Sequence, residues 1–176
     1  ADAGFDRTRI VLQQWNRNFR PSQMQLDGRI PDVFMVSSMS LHSEQCKDLI
    51  RDAHRIDPAH RPLIIAGGPH AIYEPYDLFS ADPARPESAD VVVTGEEFVL
   101  LSLIEAVLSM RGRGESMRSA FVRARDSRAL DDVPGLQCLL VPRDQHPVGP
   151  RAQAVVFVVG IVAHQHGARA VLARDA

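Results

Sequence analysis

The sequence predicts an α/β fold in which helices cover a parallel sheet, and three short apolar runs are the main reason. The runs fall at 32–38, 62–68 and 90–96, are rich in Val and Ile, and show no alternation of apolar with polar residues. Such runs are typical of strands buried on both faces of a sheet. Their starts lie about 30 residues apart, the length of one strand-helix-strand unit.

The first part of the chain predicts a strand, a connection and a helix around the first of these runs. Residues 9–13 read as another strand, and residues 19–30 as a short, weakly helical connection. After the first run, Ser40 or Ser43 is available as the N-cap of a helix, and Asp57–Pro58 should end it because proline disfavours helix in the residue before it. The apolar face of this helix is formed by Cys46, Leu49, Ile50, Ala53 and Ile56.

Two more helical patterns follow the second and third runs. Residues 72–79 predict a short helix, and a proline-containing loop follows at 83–86. After the third run, Gly112 and Gly114 should end a helix whose apolar face is formed by Leu100, Leu103, Ile104, Val107 and Leu108. This alternation of strands and helices predicts a doubly wound, flavodoxin-like (Rossmann-like) parallel sheet with right-handed crossovers.

The last third of the chain carries weaker patterns. Residues 116–130 predict a surface helix, and the arginines between 111 and 128 predict a solvated face. The sequence after this helix predicts a turn at 131–135, a short hairpin at 139–144 and a strand at 155–159. We therefore divide the chain into an α/β domain, residues 1–136, and a C-terminal extension, residues 137–176.

Composition excludes several classes of protein. The 176 residues are 45% hydrophobic and 24% charged, which is typical of a globular chain rather than a disordered or fibrous one. A formal net charge of −2 gives no bulk attraction to nucleic acid or to an anionic membrane. The two cysteines cannot form a disulfide framework and fit the reducing cytoplasm. The longest apolar run, residues 154–163, is half the roughly 20 residues of a membrane span, and the N-terminus does not read as a signal peptide.

Small and polar residues follow the predicted strands, where open parallel sheets bind their ligands. The three groups are Ser37, Ser38, Met39 and Ser40; Gly67, Gly68, Pro69 and His70; and Gly95 and Glu96. Glycines leave room for backbone to approach something large and flat, and serine hydroxyls can bond a polar tail. This combination suits a bulky ligand better than a small diffusible substrate.

These groups resemble the motifs of a known family. Cobalamin-binding domains of the methionine synthase and mutase type carry Ser-x-Leu at one strand end and Gly-Gly one unit later. Here Ser37-Ser38-Met39 and Gly67-Gly68 enclose 27 residues, those from position 40 to 66, within the usual spacing of the family. The segments at 67–71 (Gly-Gly-Pro-His-Ala) and 91–97 more narrowly resemble the cobalamin-binding domain that lies N-terminal in cobalamin-dependent radical S-adenosylmethionine enzymes.

The resemblance covers residues 9–136 and implies cobalamin as the cofactor. A turn like 134–136 (Pro-Gly-Leu) often precedes the catalytic barrel in that family, so it also implies a radical S-adenosylmethionine domain or subunit as partner. Two motifs of the wider family are absent: Asp-x-His-x-x-Gly, whose histidine ligates cobalt, and Cys-x-x-x-Cys-x-x-Cys, which holds an iron–sulfur cluster. Bound cobalamin should therefore lack a protein imidazole, and the chain should not be catalytic alone. Matching residues 9–14 to the family's second strand also implies that the first strand-helix unit is missing.

Other interpretations of the same residues stay open. Ser40 could merely cap a helix, Gly67-Gly68 could form a plain turn, and Glu96 could begin a helix. His70 is expected to flank the site rather than ligate metal, because no second His or Cys lies at ligand spacing. A hydrolase triad of Ser37, His70 and Glu96 lacks the Gly-x-Ser-x-Gly elbow, and dinucleotide and phosphate loops are absent. The alternative function is a degenerate α/β interaction or scaffold domain that no longer binds cofactor.

Overall fold

The computed structural model describes a parallel α/β unit at Thr8, Val11 and residues 19–37, 39–80, 85–94 and 97–131, with the backbone alone at 97 and 98. Its strands are β1 (Val33–Ser37), β2 (Leu63–Gly67) and β3 (Val91–Val92). Its helices are α1 (Ser43–Ala53), α2 (Pro69–Tyr73), α3 (Glu97–Met110) and α4 (Met117–Asp126). Single 3-10 turns lie at Pro21–Gln23, Ser40–His42 and Pro75–Asp77.

The three strands form one parallel sheet in the order β1-β2-β3, which confirms the predicted α/β class. β1 and β2 pair along their whole length, from Val33 beside Leu63 to Ser37 beside Gly67. The short β3 pairs with β2 through Val91 and Val92. β2 is buried throughout, as its apolar sequence predicts, whereas β1 alternates buried and partly exposed residues. One β1 face is thus less covered than the sequence suggested.

Helix α1 differs from its prediction at both ends. His42 is its N-cap residue, and no side chain caps it, because Ser40 begins the preceding 3-10 turn and Ser43 is already helical. The helix ends at Ala53, before Asp57–Pro58. Two hydrogen-bonded turns follow Ala53, and Ile56 within them is buried.

The connections before β1 and after β2 are less helical than predicted. Within 19–30 only Pro21–Gln23 is helical, and a turn with positive φ at Asp27 (51°) and Gly28 (77°) closes the Leu26–Arg29 bridge. The helix predicted at 72–79 is instead α2 followed by a 3-10 turn. Pro75 explains the break, since a proline ring cannot continue an α-helix from the residues before it.

Helices α3 and α4 confirm their predictions. α3 ends at Met110, shortly before Gly112 and Gly114, and Gly114 adopts a φ of 78°. Ser116 caps α4 by accepting a hydrogen bond from the Ser119 N–H at 3.1 Å. α4 packs against α3 and β2 and contributes the fully buried Phe121 to the core. None of the helices in the described ranges is long and apolar enough to cross a bilayer.

The arginines near α4 are not simply a solvated face. Arg118 Nε lies 3.0 Å from Asp90 Oδ1, and Arg111 Nη2 lies 2.8 Å from Asp32 Oδ1. Arg123 pairs with Glu115 at 2.8 Å. These ion pairs join α4 to the connection that precedes it and to Asp90 before β3, and they join that connection to Asp32 before β1.

A buried polar network lies at the amino ends of β2 and β3. Asp90 Oδ2 accepts the Ile64 N–H at 3.0 Å, and Arg61 hydrogen-bonds His54 Nδ1. His54 Nε2 lies 2.9 Å from the Ser88 carbonyl oxygen. Because the arginine can only donate, Nδ1 is the acceptor and Nε2–H donates to Ser88, which makes His54 neutral. Burial lowers the pKa of His54 and reinforces this state.

Several predicted elements lie outside the described residues. They are the strand at 9–13 except Val11, half of the loop at 83–86, the turn and hairpin between 132 and 144, the strand at 155–159, and the domain boundary at 136.

Candidate functional site

Two of the three predicted site segments are neighbours at the carboxyl ends of the strands. Ser37 and Gly67 are register partners as the last residues of β1 and β2. The segments 37–40 and 67–70 therefore begin side by side, as parallel pairing requires. Ser38, Gly95 and Glu96 of the predicted site lie outside the described residues.

The segment after β1 presents its side chains to the surface. Ser37, Met39 and Ser40 are exposed, and the neighbouring Leu41 is 87% exposed. Ser40 begins the 3-10 turn that leads into α1, and no side chain caps that turn. Hydroxyl groups and apolar side chains are thus available together on one side of the site, and Ser40 does not serve as a helix cap.

The segment after β2 brings backbone, not side chains, to the site. Gly67 and Gly68 are buried, and Gly68 has φ 83° and ψ −175°. That conformation is essentially restricted to glycine, so a β-carbon at Gly68 would strain the chain. Its carbonyl accepts the Ile72 N–H at 3.2 Å and starts α2. The backbone conformation of the turn after β2 therefore requires a glycine at this position.

His70 is held inside the turn by charged neighbours that the sequence did not single out. Its side chain is 7% exposed, and Nε2 lies 2.8 Å from Asp77 Oδ2. The other oxygen of Asp77 lies 2.6 Å from Lys47 Nζ, which also lies 3.0 Å from Glu44 Oε1. We call Lys47, Asp77 and His70 the clasp, because they connect α1 to the segment after β2.

The charges of the clasp reinforce one another. The hydrogen bond to Asp77 raises the pKa of Lys47 above its ordinary value. Partial burial alone would raise the pKa of Asp77, but the hydrogen bonds from Lys47 and His70 outweigh burial and lower it. Asp77 is therefore a carboxylate near neutral pH. Among the described residues, His70 Nδ1 is buried without a hydrogen-bond partner.

Exposed apolar side chains lie in the stretches that follow both β1 and β2. Met39 and Leu41 follow β1, while Ile72, Tyr73 and Tyr76 follow β2, and Tyr73 is 77% exposed. Leu41 lies just before α1, and Tyr76 is next to Asp77, so the clasp connects their two segments. We call these five residues the apolar rim. Apart from Ile30 and Leu108, they are the exposed large hydrophobic residues of the described chain.

The described residues hold no cluster of three or more His, Cys, Asp or Glu side chains that could bind a metal ion. His70 uses Nε2 for Asp77. What the described arrangement offers is exposed hydroxyls and exposed apolar side chains after β1, and a buried, side-chain-free glycine pair after β2. Sequence reasoning missed Lys47 and Asp77, although Lys47 is the only lysine of the chain.

Together these features define an α/β protein in which the segments after β1 and β2 lie side by side at the carboxyl ends of parallel strands. No protein-family model matches the chain, and no curated protein or solved structure is significantly similar to it.

Proposed function

We propose that this chain is a cobalamin-binding module. The observation that carries the proposal is the pairing of Ser37 with Gly67 at the carboxyl ends of neighbouring parallel strands. Two motifs that lie far apart in the sequence are brought together at the edge where open α/β sheets bind ligands. The proposal includes the finer fold, a doubly wound, flavodoxin-like sheet.

The residues at this edge fit a large, flat and partly apolar cofactor. Ser37 and Ser40 offer exposed hydroxyls for a polar nucleotide tail, with Met39 between them. Gly67 and Gly68 are buried and carry no side chain, so no side chain of theirs stands between the turn and a group that docks beside it. The apolar rim supplies contact area for a ring system. Ser38, Pro69, His70, Gly95 and Glu96 complete the residues we assign to cofactor binding.

Cobalamin supplies organocobalt chemistry, either methyl transfer or radical-coupled alkylation. The role of this chain is to bind and orient that cofactor, while the reacting groups belong to a partner, for which we propose a radical S-adenosylmethionine domain or subunit. We place the module in the cytoplasm. No histidine of this chain is assigned to the cobalt, because the chain lacks the Asp-x-His-x-x-Gly motif whose histidine is the ligand in the methionine synthase group.

The test is a titration of the purified chain with hydroxocobalamin and with adenosylcobalamin, followed by visible absorption and gel filtration. We expect one equivalent to be retained. Gly68→Trp should abolish retention, whereas Gly114→Trp should not, since Gly114 also has a positive φ but has open space around it. Because Gly68→Trp could prevent folding, Ser37→Trp offers a second blocking variant at an exposed position. Absence of retained colour in folded protein would refute the proposal.

The apolar rim favours one alternative, a scaffold domain that docks a protein partner and binds no cofactor. Exposed aromatic and aliphatic side chains in one region are typical of protein interfaces. In that case the chain should self-associate or bind a partner through the rim without taking up cobalamin. Sedimentation velocity across a hundredfold range of concentration, with Tyr73→Asp as the comparison, separates the two functions.

A further inference from the structure

The clasp joins two parts of the site that the sequence keeps apart. Lys47 belongs to α1, which follows β1, while His70 and Asp77 follow β2. The Lys47 Nζ–Asp77 Oδ1 distance is 2.6 Å and the His70 Nε2–Asp77 Oδ2 distance is 2.8 Å. One carboxylate is therefore shared by a side chain from each segment.

The lysine is more than an ordinary surface charge. Its side chain is only 14% exposed, and Asp77 and Glu44 both contact its ammonium group. Ion pairs on an open surface contribute little, because water and salt screen them. A charge this enclosed is screened less, so loss of Lys47 leaves Asp77 with one partner fewer in a partly buried place.

The carboxylate in turn fixes the histidine. An ionised carboxylate can only accept, so the His70 nitrogen facing Asp77 carries the proton. The ring is nearly enclosed, and its other nitrogen has no partner among the described residues to hold it. The orientation of His70 therefore depends on Asp77, and the orientation of Asp77 depends on Lys47. Gly68, whose backbone conformation favours glycine, lies two residues before His70.

We infer that Lys47 and Asp77 are positioning residues for the ligand site: they fix the segment after β2, and with it Gly68 and His70, in the arrangement that binds cofactor. This inference rests on the proposed function. Neither side chain needs to touch the ligand. Because coupling between sites is reciprocal, a ligand that favours the closed clasp must also make Lys47 less accessible.

Four variants test this inference through their dissociation constants for hydroxocobalamin. Lys47→Met and Asp77→Asn should weaken binding about tenfold, the effect of losing one charge-assisted hydrogen bond. Lys47→Arg keeps the charge and should restore binding to within about threefold of the wild type. Arg51→Met is the matched control, since Arg51 lies on the same helix but pairs with Asp48 inside that helix. Urea unfolding of each variant, measured in parallel, confirms that the folded protein is being titrated.

A second measurement reads the clasp directly. Lys47 is the only lysine, so acetylation of a lysine side chain, detected by mass spectrometry, reports on this residue alone. Saturating hydroxocobalamin should slow the acetylation at least threefold in the wild type. In Asp77→Asn the lysine should react faster, and the ligand should protect it less.

The outcomes separate this inference from the function on which it rests. If the wild type binds no cobalamin, both the proposed function and this inference are wrong. If the wild type binds while folded Lys47→Met binds equally well, the function stands and the positioning role is overturned. An acetylation rate that is indifferent to bound ligand would likewise overturn the coupling.

Discussion

Single residues have opposite roles at the two ends of the sheet. At the carboxyl ends, Ser37 and Met39 are exposed, and Gly68 adopts a backbone conformation that a residue with a β-carbon rarely adopts. At the amino ends, His54 and Arg61 close a network that leaves little polar surface to solvent. The first end therefore exposes side chains to solvent, whereas at the second end side chains bond to one another and to the backbone.

The His54 network predicts how stability depends on pH. Burial lowers the pKa of His54 below 6.5. As the pH falls, the unfolded chain therefore binds a proton at His54 before the folded chain does. The neutral ring contributes to the free energy of unfolding. This contribution is fully present above pH 6.5, and it is lost as the pH falls from there through the lower pKa of the folded state. Asp90 favours protonation, whereas Arg61 and Arg118 oppose it.

Urea unfolding between pH 7.5 and 5 should show this loss in the wild type and a smaller loss in His54→Gln, which keeps an N–H for Ser88 but does not titrate. His60→Gln is the control, because His60 is largely exposed beside Asp57. If His54→Gln and the wild type lose the same stability on acidification, the network does not depend on the neutral ring.

At the scale of elements, side chains near the helix ends fix how helices join the sheet. Arg111 at the end of α3 reaches Asp32 before β1, and Arg118 of α4 reaches Asp90 before β3. Between the two helices, Glu115 accepts the Gly112 N–H at 2.7 Å and both Nε and Nη2 of Arg123 at 3.0 and 2.8 Å. The α3–α4 turn is thus held by one carboxylate.

That carboxylate gives a prediction for the turn. The hydrogen bonds from Arg123, and next the one from the Gly112 N–H, lower the pKa of Glu115 from 4.5 to about 2. In Arg123→Ala the pKa of Glu115 should rise toward 4.5, as measured by carboxyl carbon NMR during an acid titration. Arg125→Ala serves as the control, because Arg125 pairs with Asp126 instead. An unchanged pKa in Arg123→Ala would mean that the turn is not held in this way.

At the scale of the whole molecule, one apolar core runs from β1 to α4. Phe34, Ile65 and Leu103 are fully buried, and Phe121 adds a large side chain from the last described helix. Because these residues form a single cluster, the sheet and α4 should unfold together.

Phe121→Ala should therefore lower the free energy of unfolding by about 3–5 kcal/mol, the cost of a large cavity in a packed core. Urea unfolding followed by circular dichroism should keep a single transition, and amide exchange in β2 should speed up along with that in α4. Val122→Ala, at a partly buried neighbour, should cost about 1 kcal/mol. If exchange in α4 speeds up while exchange in β2 does not, α4 is a separate unit.

The sequence predicted the sheet well because buried parallel strands are continuous apolar runs, and 32–38 and 62–68 show this pattern plainly. It predicted helix ends less well, since α1 stops at Ala53 and not at Asp57–Pro58. The break at Pro75 was readable in principle, but the apolar spacing of residues 72–79 outweighed it. Connections such as 26–29 depend on turns whose positive φ values leave little trace in an apolar pattern.

The candidate site was predictable where it follows strand ends and unpredictable where it depends on packing. Ser37 and Gly67 are found by asking what lies at the carboxyl ends of the runs. Lys47 and Asp77 lie in a helix and in a turn with no motif around them, and only the folded chain brings their charges together. Cobalamin itself remains a proposal from the motifs.

Because the chain has a single lysine, and that lysine lies inside a helix, proteolysis at this residue can report local unfolding of the helix. A protease that cleaves only after lysine has one target in all 176 residues, inside helix α1. Helical backbone must unwind before it fits a protease, so cleavage at Lys47 would measure how often α1 leaves the sheet. A bound ligand that stabilises the clasp would then lengthen the lifetime of the intact chain, without any change to the protease.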